Sequence, residues 1–129
     1  MDSGFRTPLG KVRGLGSAKE GVSHWWMQRV TAVALVPLVL LFVSFLIMLA
    51  NEPYGTVTAF MGKPFVAAVS LLLIVALFWH LKLGLQVVIE DYVHHEWTKI
   101  VSLLAMTFAI IIIGLSCALA VLFMAIAGG

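Results

Sequence analysis

The sequence predicts an all-α membrane protein of three transmembrane helices. Two observations carry that prediction. Of 129 residues, 62% are hydrophobic and 11% charged, with a mean hydropathy of +1.09. A soluble domain is about half apolar and roughly a quarter charged, so too few polar side chains exist here to cover a water-facing surface. The second observation is that the apolar residues fall into three separate stretches, each long enough to cross a hydrocarbon core of ~30 Å at about 1.5 Å per residue.

The first stretch runs over residues 30–50 and contains Pro37, which a bilayer helix tolerates. Asn51, Glu52, Pro53, Tyr54 and Gly55 interrupt it. The second runs over 65–89, preceded by Lys63 and by Pro64 at a favourable helix-start position. The polar cluster Glu90, Asp91, Tyr92, His94, His95, Glu96 and Lys99 closes it. The third, over 100–127, is the longest and least polar; Gly114 and Ala118 give it the small-residue spacing that permits close helix packing. The chain thus divides into an N-terminal arm, 1–29, and a three-helix anchor domain, 30–127.

Glycines 4, 10, 14, 16 and 21 with Pro8 argue against a regular helix in the first twenty residues, so the arm is expected to lie irregularly on the membrane surface. It lacks the apolar core and prompt cleavage site of a signal peptide. Arg6, Lys11, Arg13, Lys19 and Arg29 are five of the eight Lys and Arg residues. The positive-inside rule therefore places the N-terminus in the cytoplasm (or a matrix equivalent) and, after three crossings, the C-terminus on the opposite side. Trp25, Trp26 and Trp97 fall at the same interface, where an aromatic belt is expected. The few basic residues form no stripe of the kind that binds nucleic acid. The single cysteine, Cys117, excludes an internal disulfide and a cysteine-held cluster within the chain.

Polar residues inside the second stretch require an explanation. His80 lies slightly past its middle, where a polar group faces protein or a cofactor. At ~100° per residue, Gly84, Val87 and Asp91 lie within about 40° of it on one helix face. A glycine one turn beyond a histidine leaves room for a flat macrocycle, and neutral imidazole is a common axial haem ligand. The other ring nitrogen is expected to reach back to the Ala76 carbonyl. From these residues alone a structural bond to a neighbouring helix, or a place on a proton path, is the more ordinary reading of His80. His24, His94 and His95 all sit at the cytoplasmic boundary, so a second axial histidine must come from another chain.

Other positions carry paired readings too. Arg29 serves topology and snorkelling, or binds an anionic group such as a haem propionate. Asp91 and Tyr92 are a solvated acid and an interfacial aromatic, or a proton relay and a hydroxyl for a quinone carbonyl. Lys82 faces away from His80, towards the surface or a partner. His94-His95-Glu96 is a poor metal motif because adjacent side chains diverge.

Two segments resemble the hydrophobic membrane anchor subunit of succinate dehydrogenase, respiratory Complex II. Gly21-Val22-Ser23-His24-Trp25-Trp26-Met27-Gln28-Arg29-Val30-Thr31-Ala32 is similar to that family's lead-in to its first helix. His80-Leu81-Lys82-Leu83-Gly84-Leu85-Gln86-Val87-Val88-Ile89-Glu90-Asp91-Tyr92-Val93 resembles its His, Gly and Asp-Tyr pattern, which is the more specific of the two. Ser23, His24 and Lys82 depart from the family pattern and take no role from it. The resemblance implies three helices packing with a second anchor subunit into a haem-binding bundle. It implies that His80 is an axial iron ligand of a shared haem b, that Gly84 and Arg29 adjoin that cofactor with Arg29 on a propionate, and that Tyr92, with Asp91 beside it, binds ubiquinone. It further implies a non-catalytic subunit of the inner membrane whose partners are that second haem-ligating anchor, an iron–sulfur subunit, a flavoprotein subunit and membrane lipid. An anchor of fumarate reductase and a small non-redox transporter or assembly subunit are the alternatives.

Overall fold

A computed structural model describes residues 19–128 together with Pro8. Among the described residues the chain forms four helices: α1 (Lys19–Leu49), α2 (Tyr54–Met61), α3 (Pro64–Tyr92) and α4 (Glu96–Gly128). Three of them, α1, α3 and α4, are long and apolar enough to cross a membrane. All three are hydrophobic around their whole circumference, as helices solvated by lipid are.

The antiparallel path follows from short connections. Only Val93, His94 and His95 separate α3 from α4. At the other end Pro53, extended at φ −61° and ψ 153°, starts α2, and Lys63 and Pro64 start α3. Helix α3 is central, with α1 and α4 packed on it and no comparable contact between those two. A third of the apolar window of α3 is buried, against 6% in α1 and in α4.

Two apolar clusters hold the bundle. Leu38, Val69, Leu73 and Ala76, flanked by Ala34, Leu35, Phe42 and Phe45, close the α1–α3 seam. Met61, Val66 and Val121 form the second, where α2 plugs the end of the bundle against α3 and α4. Phe45 and Phe60 join the two through an edge-to-face pair 5.2 Å apart. Ser70, 1% exposed, satisfies its hydroxyl on the Val66 carbonyl at 2.8 Å. The short helix α2 falls where the sequence had indicated only a polar break.

The arm requires a correction. Apart from Pro8, the expectation for residues 1–18 lies outside the described residues, but residues 19–29 are helical rather than irregular. Gly21 costs a helix about 1 kcal/mol, and extending a helix that a membrane span has already nucleated is easy by comparison. All three long helices overrun their apolar stretches at this one end: α1 starts at Lys19 rather than Val30, α3 continues to Tyr92, and α4 begins at Glu96. We call this the polar end.

Gly114 allows α4 to approach α3, since a Cβ there would sit 3.3 Å from the Phe78 ring. Gly114→Val is expected to cost about 1–3 kcal/mol through overpacking, and Gly114→Ala distinctly less. Thermal unfolding of the purified protein in mild detergent measures both.

Candidate functional site

The site grows from one contact between α1 and α3. Thr31, 7% exposed, places Oγ1 3.0 Å from His80 Nδ1. The same hydroxyl donates to the Met27 carbonyl at 2.7 Å, with the Gln28 carbonyl at 3.2 Å. A hydroxyl has one proton, and the shorter contact uses it. Oγ1 must therefore accept from His80, so that Nδ1 carries the proton of this bond. Nε2 has no partner among the described residues and is not sealed inside the chain. The Ala76 carbonyl is thus not the partner of His80; a cross-helix hydroxyl takes that place.

By helical rise His80 lies roughly 6 Å from Gly84 and slightly past the middle of α3, towards the polar end. Lys82 follows it, its ammonium 5.6 Å from the Trp79 ring centroid.

From Thr31 towards the polar end, Gln28, His24 and Gly21 continue one face of α1, opposite Gly84 and Val87 of α3. These residues, with Trp25 and Arg29, line an open cleft of about 450 Å³. A Cβ on Gly84 would stand 3.9 Å from Gln28 Nε2, an ordinary contact. Within this chain it is therefore the Gln28 amide that overlies the glycine. The Arg29 guanidinium stacks 5.5 Å from the Trp25 ring centroid, and Trp25 meets Trp26 edge-to-face at 5.4 Å. Gln28 Oε1 and His24 Nε2 are enclosed and unpartnered among the described residues.

The structure thus brings Arg29 and Gly84 into one cleft, one turn from His80. It does not bring Asp91 and Tyr92 into it. Both are exposed in the last turn of α3, Tyr92 at 78%. Sequence reasoning missed Thr31, Gln28 and His24 as members of the site. Their signal was present, since positions 31, 28, 24 and 21 recur at three and four residues along one helix face. His94, His95 and Glu96 are part of no cluster able to hold a metal ion, and none occurs among the described residues.

Three helices long and apolar enough to cross a membrane, with a polar cleft between two of them at one end, define a multi-pass membrane protein. The chain belongs to the succinate dehydrogenase/fumarate reductase transmembrane subunit family, whose model matches residues 3–126. It is 40% identical over 88 residues to the succinate dehydrogenase membrane anchor subunit of Reclinomonas americana, covering 66% of this chain and 73% of that one. It is 34% identical over 93 residues to the hydrophobic membrane anchor subunit of Rickettsia bellii, covering 72% and 74%, and 34% identical over 88 residues to that of Paracoccus denitrificans, covering 68% of each. No solved structure matches the chain.

Thr31→Val should leave the His80 Nδ1–H without its acceptor, at a cost of about 1–3 kcal/mol, whereas Thr31→Ser should restore most of the loss. Melting temperatures of the two variants in detergent test this.

Proposed function

We propose that this chain is the small membrane anchor of a succinate:ubiquinone oxidoreductase, contributing one axial ligand to a haem b and one wall of the quinone-reduction site. The observation that carries the reading is His80, with Nδ1–H held by Thr31 and Nε2 without a partner among the described residues. That is the state in which an imidazole binds iron, and a hydrogen bond from the opposite nitrogen is the usual means of orienting such a ligand. The residues present therefore fit the group. His80 would hold the iron, Arg29 would meet a propionate, and Gly84 borders the same cleft. Haem b would supply a one-electron redox centre beside the quinone.

His80 would be this chain's one ligand to the iron, which supports a second haem-ligating anchor as partner. Tyr92, exposed at the polar end, has a free phenol able to donate to a ubiquinone carbonyl, and Asp91 beside it is an acid suited to passing protons. An iron–sulfur subunit and a flavoprotein subunit dock at this end, where Trp25, Trp26, Tyr92 and Trp97 project. The arm's basic residues favour a cytoplasmic N-terminus in the inner membrane. The curated relatives are all named for succinate dehydrogenase, which favours succinate oxidation over fumarate reduction, although the family model spans both. Nothing in the fold favours a transporter subunit.

In the complex purified with its partner subunits, His80→Ala is expected to abolish the haem b band of the reduced-minus-oxidised spectrum; an unchanged band would remove the ligand assignment. Tyr92→Phe is expected to slow quinone reduction about tenfold or more, since each factor of ten corresponds to ~1.4 kcal/mol of lost transition-state stabilisation. Succinate oxidation by an artificial acceptor should stay intact. Equal loss of both activities would make Tyr92 an assembly residue.

A further inference from the structure

Lys82 has no part in the functional reading above. It follows His80 by two residues, about 200° round the helix, and so faces away from the α1–α3 seam. There it stands at one end of a groove of about 390 Å³ between α3 and α4. Ile74, Phe78 and Trp79 form one wall, and Ile111, Gly114 and Ala118 the other. Thr107, at the same end as Lys82, donates its hydroxyl to the Leu103 carbonyl at 2.8 Å. The groove is thus apolar along most of its length, with one cation at the end towards the polar end of the bundle. No carboxylate lines it. The ammonium lies instead over the Trp79 ring, 5.6 Å from its centroid, where a π face stands in for an anion. A cation inside a membrane span is costly and is ordinarily paired.

We propose that this groove holds an acyl chain of an anionic phospholipid, with Lys82 on the phosphate. Shape, charge and position favour that occupant. From Lys82 to Ile74 the groove runs ~12 Å by helical rise, away from the polar end, as a lipid tail does. Where Gly114 meets the Phe78 ring, α3 and α4 are already in contact. A helix, about 10 Å across with its side chains, would lie over such a groove rather than enter it. A second copy of this chain would bring no carboxylate to this level. Among the described residues Glu20, Glu52, Glu90, Asp91 and Glu96 all stand at helix ends or between helices.

The apolar residues of α3 continue to Ile89, ~10 Å beyond Lys82 by helical rise. The flexible stem of a lysine covers much of that distance, and local thinning of the bilayer around a buried cation covers the rest. The arm's basic residues favour a cytoplasmic polar end, and the cytoplasmic leaflet is the one that carries anionic lipid.

The test uses the complex purified with its partner subunits and stripped of lipid in mild detergent. It is titrated with phosphatidylglycerol, or with phosphatidylcholine of the same chains, and native mass spectrometry reads the lipid bound. Lys82→Met should weaken one phosphatidylglycerol site about fivefold, or ~1 kcal/mol, and leave phosphatidylcholine binding unchanged. Lys82→Arg should keep the site. Ala118→Phe, which fills the far end of the groove and spares the cation, should weaken the same site; it decides if Lys82→Met does not assemble.

Phosphatidylglycerol binding unmoved by these variants would overturn the proposal. So would equal weakening of both lipids by Lys82→Met, since the charge would then not be what the site reads. Loss of assembly in Lys82→Met, with lipid binding intact in Ala118→Phe, would overturn it too and would give Lys82 to a partner helix. The haem b band should be the same in all of these variants, because the groove and His80 lie on opposite faces of α3; either reading can fail without the other.

Discussion

An imidazole inside a hydrocarbon layer needs a partner, and the Thr31 hydroxyl that supplies one to His80 sets the register of the whole bundle. Apolar packing alone specifies little in a bilayer, because lipid tails solvate leucine and valine as well as protein does. The cluster of Leu38, Val69, Leu73 and Ala76 would tolerate sliding of α1 along α3 at modest cost. A 3.0 Å hydrogen bond would not. With Thr31 opposite His80, Gln28 must face Gly84 and His24 must face Val87, so a single polar contact places the remaining cleft residues along the seam. The hydroxyl is itself held by the Met27 carbonyl, and this second bond makes it the acceptor of the ring's Nδ1–H. Register and ring orientation thus have one cause.

The two ends of the bundle are built for different tasks. At one end α2 folds back under α3 and α4, with Met61 and Val66 buried against Val121, and the chain closes on itself. At the other the three long helices run past their apolar stretches and carry Trp25, Trp26, Tyr92 and Trp97 outwards. Helix there satisfies the backbone internally while leaving much of these side chains exposed. Lys82 rests its ammonium against the face of Trp79.

Much of the fold was legible because lipid imposes a simple pattern. The second and third spans can be read from residue type alone, as can the breaks at Asn51–Gly55 and at His94–His95. The helical start of α1 was not legible, since Gly21 and the nearby polar residues read locally as irregular chain. Their helix is an extension of a span already formed, which local propensity does not register. The short helix α2 was hidden for a similar reason: its burial depends on Val121 and Met124, some sixty residues away. At the site, His80, Gly84 and Arg29 stood out as polar or small residues in unusual places. Thr31 did not, because a threonine in a bilayer helix commonly bonds its own i−4 carbonyl, as Thr31 also does. Only the packing of α1 on α3 reveals its second bond.

The same register changes how the histidine itself is understood. Along α3 alone its neighbours are apolar up to Ile89 apart from Lys82 and Gln86. Across the seam, the residues that follow towards the polar end are Gln28, Arg29 and His24 of α1, beside Gly84 and Val87. The seam thus passes from an apolar stretch, closed by Leu38, Val69, Leu73 and Ala76, to a polar one, and His80 stands where the two meet. The Thr31 bond belongs to both: it is the last contact of the packed stretch, and it sets which residues of α1 face Gly84.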